Sequence, residues 1–260
     1  MNKIFKYSFF DLIRSRWTIM YFLVYLAASA LLLYLGNDLS QAIISLMNIV
    51  VVLSPLVSIL LGTIYYYNSR DFVELLLAQP IRRKAIFGGQ YLGLAVSLSI
   101  GLVAGLMIPF LFYGLFVSSE IWNFLLLVVT GTILTFIFTG IAFWIAVKNE
   151  NKVKGFGLAI LVWLVMAILY DGLFLLILLI FEAYPLEKTA LVMSLMNPID
   201  LARITLMLQL DIAALLGYSG AVFNKFFGTS LGMTVTLLVS LTWILIPASL
   251  MLRIAGKKDF

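Results

Sequence analysis

The chain has 260 residues, 63% apolar and only 11% charged, with a mean hydropathy of +1.13 and a formal net charge of +5. No soluble core absorbs that much apolar surface, so the solvent of this chain is a bilayer. It has no cysteine and no histidine, which excludes disulfides, thiolate nucleophiles, zinc sites, imidazole acid–base chemistry and Ser-His triads.

The N-terminal stretch 1–16 places Ile4, Phe5, Phe9, Leu12 and Ile13 close to one helical face, ringed by Lys3, Lys6, Arg14 and Arg16. That pattern predicts an interfacial helix lying on a membrane surface. It has no apolar h-region followed by a small-residue cleavage site, so no cleavable signal peptide is expected. Six apolar runs then reach the roughly 20 residues a helical span needs: 17–35, 42–65, 91–117, 121–147, 155–181 and 229–252. They are continuous rather than alternating, which favours helices over a barrel.

Between the second and third runs lies segment 70–84. Here Phe72, Leu75 and Leu76 are expected on one helical face and Asp71 and Glu74 on another, before Gln79, Pro80, Arg82, Arg83 and Lys84. A short amphipathic helix stopped by Pro80 is predicted, either as an ordinary basic-anchored loop or as a docking element. The third run carries Gly89, Gly93, Ser97, Gly101 and Gly105 at four-residue spacing, and the fourth carries Gly131, Thr135 and Thr139. Such stripes allow helix backbones to approach closely. Pro55, Pro109 and Pro247 are expected to kink their spans.

Asp171 is the single carboxylate well inside a predicted span. An unpaired charge at that depth costs about 2.5–3.5 kcal/mol on insertion scales. It must therefore be protonated, paired or facing a polar cavity. It is expected either to line an interface between two copies of the chain, contacting cargo or sensing state, or to be neutral and bonded to a neighbouring hydroxyl, or to lie nearer the span's edge than drawn. Segment 182–228 is too apolar for a free loop, and its pieces are too short to cross. Within it Asn197, Pro198 and Asp200 form a helix start, so short external re-entrant helices are predicted. Asp200 and Arg203, three apart, are expected either to form a surface pair or, with Asn197 and Pro198, to dock an external partner. Met193, Met196, Met207 and Met233 read either as gap-fillers or as soft thioether ligands.

Charge sorts the connections. Lys3, Lys6, Arg14 and Arg16, then Arg70, Arg82, Arg83 and Lys84, then Lys148, Lys152 and Lys154, and finally Arg253, Lys257 and Lys258 fall on one side. The opposite connections hold Asp38 and Glu120, and in the last of them only Lys188, Arg203 and Lys225. The positive-inside rule then puts both termini and segment 70–84 in the cytoplasm. No GxxxxGK[ST] sequence is present, so the chain holds no nucleotide by that route. An intramembrane protease would need paired carboxylates or a histidine, and a passive channel would need polar rings in its spans; neither pattern is present.

The run VELLLAQPIRRKAIFGGQYLG resembles the stretch before the third span of ABC-2 type permeases, with Glu74, Leu75, Leu76, Pro80 and Arg83 matching. Many relatives have Gly-Thr where this chain has Phe72-Val73. The LLLAQPIRR run, Tyr170-Asp171-Gly172 and Asn197-Pro198-Ile199-Asp200-Leu201-Ala202-Arg203 are similar to the permeases that serve maturation of nitrous oxide reductase. The resemblance implies an all-α polytopic bacterial inner-membrane protein with a cytoplasmic coupling helix between spans two and three. It also implies a second copy of the chain, a separate ABC ATPase carrying ATP and magnesium, a periplasmic repeat protein and a copper-chaperone lipoprotein. This chain is expected to be no enzyme and to bind no cofactor or metal itself.

Overall fold

The computed structural model of the protein describes residues 2–36, 38–181, 187–210, 223, 226–227 and 229–257. Lys225, Lys258 and much of the expected external segment 182–228 lie outside them. The described residues are helical, with no strand: α1 (Asn2–Ile13), α2 (Arg16–Gly36), α3 (Leu39–Asn68), α4 (Arg70–Leu77), α5 (Arg83–Phe112), α6 (Ile121–Lys148), α7 (Lys152–Leu164), α8 (Tyr170–Ile180), α9 (Glu187–Met196), α10 (Pro198–Gln209) and α11 (Ser230–Lys257). A single π-turn, Val165–Leu169, joins α7 to α8 without a break, so the two make one bent-register span. Among the described residues, six helices are long and apolar enough to cross a membrane. The protein is a multi-pass membrane protein.

Most expected spans run longer than predicted. The second extends to Leu39–Asn68 and the third begins at Arg83, inside the segment expected to be loop, and stops at Phe112 rather than at residue 117. The reason is length. A 30-residue helix is about 45 Å long, against about 30 Å of hydrocarbon, so its ends stand among headgroups where Arg83, Lys84 and Asn68 are at ease. Pro55, Pro109 and Pro247 all sit within helices that continue past them.

The bundle is built around α5 and α6, the most buried spans, at 61% and 67% of their apolar windows; span five is the least, at 6%. The small-residue stripe of α5 explains its position. A Cβ on Gly89 would lie 3.0 Å from Ile4 of α1, one on Gly93 2.7 Å from Ser8 Cβ, and one on Gly105 2.8 Å from the Tyr25 side chain of α2. Gly131 of α6 does the same for Val50 of α3, at 2.7 Å. Hydroxyls supplement this packing: Tyr25 and Ser54 share a 2.8 Å hydrogen bond, and Ser29 Oγ donates to the Gly105 carbonyl at 3.0 Å.

The N-terminal helix is thus part of the bundle. Ile4, Ser8 and Leu12 are its buried line. Phe5, Phe9 and Ile13, expected on the same face, are only partly covered; the line follows the glycines of α5 rather than the hydrophobicity of α1.

Candidate functional site

Two places concentrate polar chemistry, one at each end of the bundle. At the end carrying the basic connections, Ser69 is both the last cap of α3 and the first of α4, so the chain turns without a loop. Gln90 Nε2 of α5 donates to Ser69 Oγ at 3.2 Å, and Ser69 Oγ donates to the Tyr66 carbonyl. Beside it Tyr67 donates to the Asn149 carbonyl at 2.7 Å, and Lys152 to Asn68 Oδ1 at 3.1 Å. Tyr67 fits there because residue 155 is glycine: a Cβ would lie 1.9 Å from its hydroxyl. The base of α4 is therefore held from three helices.

α4 itself is attached by one face. Val73 is its buried residue, and Leu76, Leu77 and Ile81 pack against the core. Leu75, expected on one face with Phe72 and Leu76, is 69% exposed. At 100° per residue Val73, Leu76 and Leu77 share a side that Leu75 cannot join. Asp71, Glu74, Gln79, Pro80 and Arg82 are exposed with it, and Arg70 and Glu74 form an exposed pair at 3.1 Å. Phe72 stacks on Tyr7 of α1, centroids 4.9 Å apart. Arg83 lies in the first turn of α5.

At the opposite end α9 and α10 form a helix pair bent by 114°, within the segment where short re-entrant helices are expected. Asn197 caps α10, its Oδ1 accepting from Ile199 N at 3.1 Å. Its Nδ2 donates to the Met166 carbonyl at 2.7 Å. That carbonyl lies in the π-turn, where the change from i→i+4 to i→i+5 bonding leaves backbone groups in need of partners. Tyr170 donates to the Met193 carbonyl at 2.7 Å, and Trp243 of α11 to the Leu195 carbonyl at 3.2 Å.

Asp171 completes this set. Its carboxylate accepts from Arg203 Nη1, which also reaches Asp200 Oδ1 at 3.4 Å. The partner Asp171 meets is thus a guanidinium rather than a neighbouring hydroxyl. The expected surface pair of Asp200 and Arg203 is likewise not at the surface: Asp200 is 7% exposed, and Asn197 and Pro198 are buried. These three side chains are occupied by contacts within the chain. Two carboxylates share one guanidinium, leaving one negative charge to be balanced by a proton or a further cation.

Of the four methionines, Met207 packs on the main core, Met196 is exposed, and Met233 lines a narrow apolar groove with Ile133 and Leu201. Residues the sequence did not single out as functional are Val73, Tyr7, Gln90 and Tyr67. Only the Tyr67–Gly155 pair left a trace, a glycine three residues into a span.

Over 210 residues the chain is 26% identical to a probable ABC transporter permease protein NosY from Stutzerimonas stutzeri, a match covering 75% of this chain and 76% of that protein. The chain is similar to an ABC transporter permease. Its six helical spans and the helix standing off their basic end fit the ABC-2 type of permease. No protein-family model matches it.

Proposed function

We propose that this chain is the membrane-spanning permease subunit of an ABC transporter, working as a homodimer with a separate ATPase. The ATPase supplies the nucleotide chemistry, ATP with magnesium, that this sequence has no motif to bind. The observation that carries the reading is α4: a helix rooted from three sides yet presenting Asp71, Glu74, Leu75, Gln79, Pro80 and Arg82 to solvent. An exposed leucine ringed by charge is the composition of a contact surface, with an apolar centre and polar rim. Rigid rooting is what a contact needs if it is to pass force into a bundle.

The test is to co-express the chain with its cognate ATPase and purify through the permease. Leu75→Asp should strip the ATPase while leaving the thermal midpoint of the permease unchanged. Retention of the ATPase at full stoichiometry, with normal ATP turnover, would remove α4 from the interface.

The charge distribution supports an inner-membrane location with both termini and α4 cytoplasmic, and the bent pair α9 and α10 facing the periplasm. For the task itself we propose delivery of a sulfur species, or transmission of mechanical work, for the copper–sulfur centre of nitrous oxide reductase. The ATPase would then be NosF-like and the periplasmic repeat protein NosD-like, with a copper-chaperone lipoprotein downstream. Support comes from the similarity to NosY. A strain lacking the gene should make nitrous oxide reductase deficient in its copper–sulfur centre; a fully loaded enzyme would favour the alternative, a general ABC-2 exporter of a lipid, drug or peptide.

A further inference from the structure

At the basic end of the bundle a cavity of about 380 Å³ opens between the α1–α2 elbow and the last two turns of α3. That volume is within the roughly 300–1,000 Å³ of small-ligand sites. Its mouth is polar: Asp11 and Arg14 from the elbow face Asn68 and Tyr65 from α3, with Trp17 at the side. Its inner wall is apolar, formed by Leu12, Leu61 and Leu94. The last turn of α3 stands at headgroup depth, because the helix outruns the hydrocarbon. Trp17 and the Arg16 guanidinium, 5.6 Å above its ring, mark the same level.

Asp11 and Arg14 lie one turn apart on the same rim, yet neither forms an ion pair with the other or with any described residue. An anionic headgroup would satisfy Arg14 and be repelled by Asp11. A headgroup carrying a phosphate and an ammonium satisfies both. Lys3 and Lys6 line an adjoining concavity that shares Asp11 and Arg14 but has no wall from α3 or α5, so only the cavity described here offers an acyl chain a place beside that rim. We infer that this cavity binds one zwitterionic phospholipid, its phosphate on Arg14, its ammonium on Asp11 and the start of an acyl chain against Leu61 and Leu94.

The experiment uses the full chain purified in mild detergent, offered phosphatidylethanolamine or phosphatidylglycerol, with lipid retention read by native mass spectrometry. One phosphatidylethanolamine per chain should survive in preference to phosphatidylglycerol. Arg14→Ala and Asp11→Ala should each lower its retention by about fivefold or more, the scale of a lost charge-assisted contact. Lys3→Ala with Lys6→Ala should leave it intact. Both rim residues are exposed, so their loss spares the fold, and an unchanged helical circular dichroism spectrum checks this. Equal retention of the two lipids, or a loss that follows the lysines instead of the rim, would overturn the assignment. So would displacement of the lipid by soluble phosphoethanolamine at a concentration matched to the lipid's, since that would make the ligand a free headgroup.

Discussion

Arg203 and Asp171 stand 32 residues apart in sequence and meet in space, the guanidinium on α10 donating to the carboxylate on α8. The pair fastens the short helix α10 to a span with few other buried contacts, and it sits one residue beyond Tyr170, where the π-turn ends. With Asp200 on the same guanidinium, the two sides of the pair are unequal, and mutation should reveal this.

Removing the cation leaves two carboxylates facing each other; removing Asp171 leaves Arg203 with Asp200. Arg203→Met should therefore cost about 2–3 kcal/mol and Asp171→Asn about 1 kcal/mol, both below the figure for a fully buried pair because these side chains are partly exposed. The Asp171→Asn, Arg203→Met double variant should recover part of the loss. Thermal unfolding in detergent measures all three.

Asn197 serves two backbone groups, the Ile199 amide and the Met166 carbonyl. Asn197→Ala should cost about 2 kcal/mol, one cap plus one stranded carbonyl. Deleting one residue from Val165–Leu169 tests the same link differently. A π-turn of five residues rotates the helix about as far as four residues of α-helix, so the deletion returns the span to α-register with Asp171 still facing Arg203 and gives the freed carbonyls partners within the helix. Asn197→Ala should then cost only the cap, about 1 kcal/mol.

The glycines of α5 should not be equivalent. A methyl at Gly105 meets α2 backbone and the Tyr25 side chain within 2.8 Å, whereas one at Gly101 meets nothing nearer than 3.6 Å. Gly105→Ala should destabilise by about 1–3 kcal/mol through overpacking. Gly101→Ala should be neutral or gain up to about 1 kcal/mol from helix propensity. A fluorescence-detected melting curve distinguishes them.

Along α4, folding and docking separate by position. Val73→Asp should lower the melting temperature of the permease itself, since it buries a charge against the core. Phe72→Ala should lower it slightly through the lost stack on Tyr7, worth about 0.5–1.5 kcal/mol. Leu75→Asp should leave it unchanged and register only in ATPase retention.

The spans, the start of α10 and the small-residue stripe were legible because each rests on local signals: apolar length, an Asn-Pro helix start, a four-residue repeat. That Asp171 needs a partner, a proton or a polar cavity was legible from its depth, but Arg203 as that partner was not, since it lies beyond a turn whose geometry no local pattern encodes. The π-turn has no residue signature; Val-Met-Ala-Ile-Leu reads as ordinary helix. On α4 the sequence showed amphipathicity but not its direction, because Leu75 and Val73 are equally apolar and only packing against α5 distinguishes them. At Asn197 and Asp200, polarity suggested a surface, while the structure uses their polar groups internally.

From Gly89 to Gly105 the stripe runs 16 residues, about 24 Å of helix, and α1 and α2 are seated on it one after the other. Three helices locked along most of a bilayer's thickness behave as a single plate. Because Tyr7 of that plate touches Phe72 of α4, a push on α4 would tilt the plate as a whole rather than bend it. The thin side of the molecule, spans five and six with their polar tethers, is then where such a tilt would be felt as a change of shape.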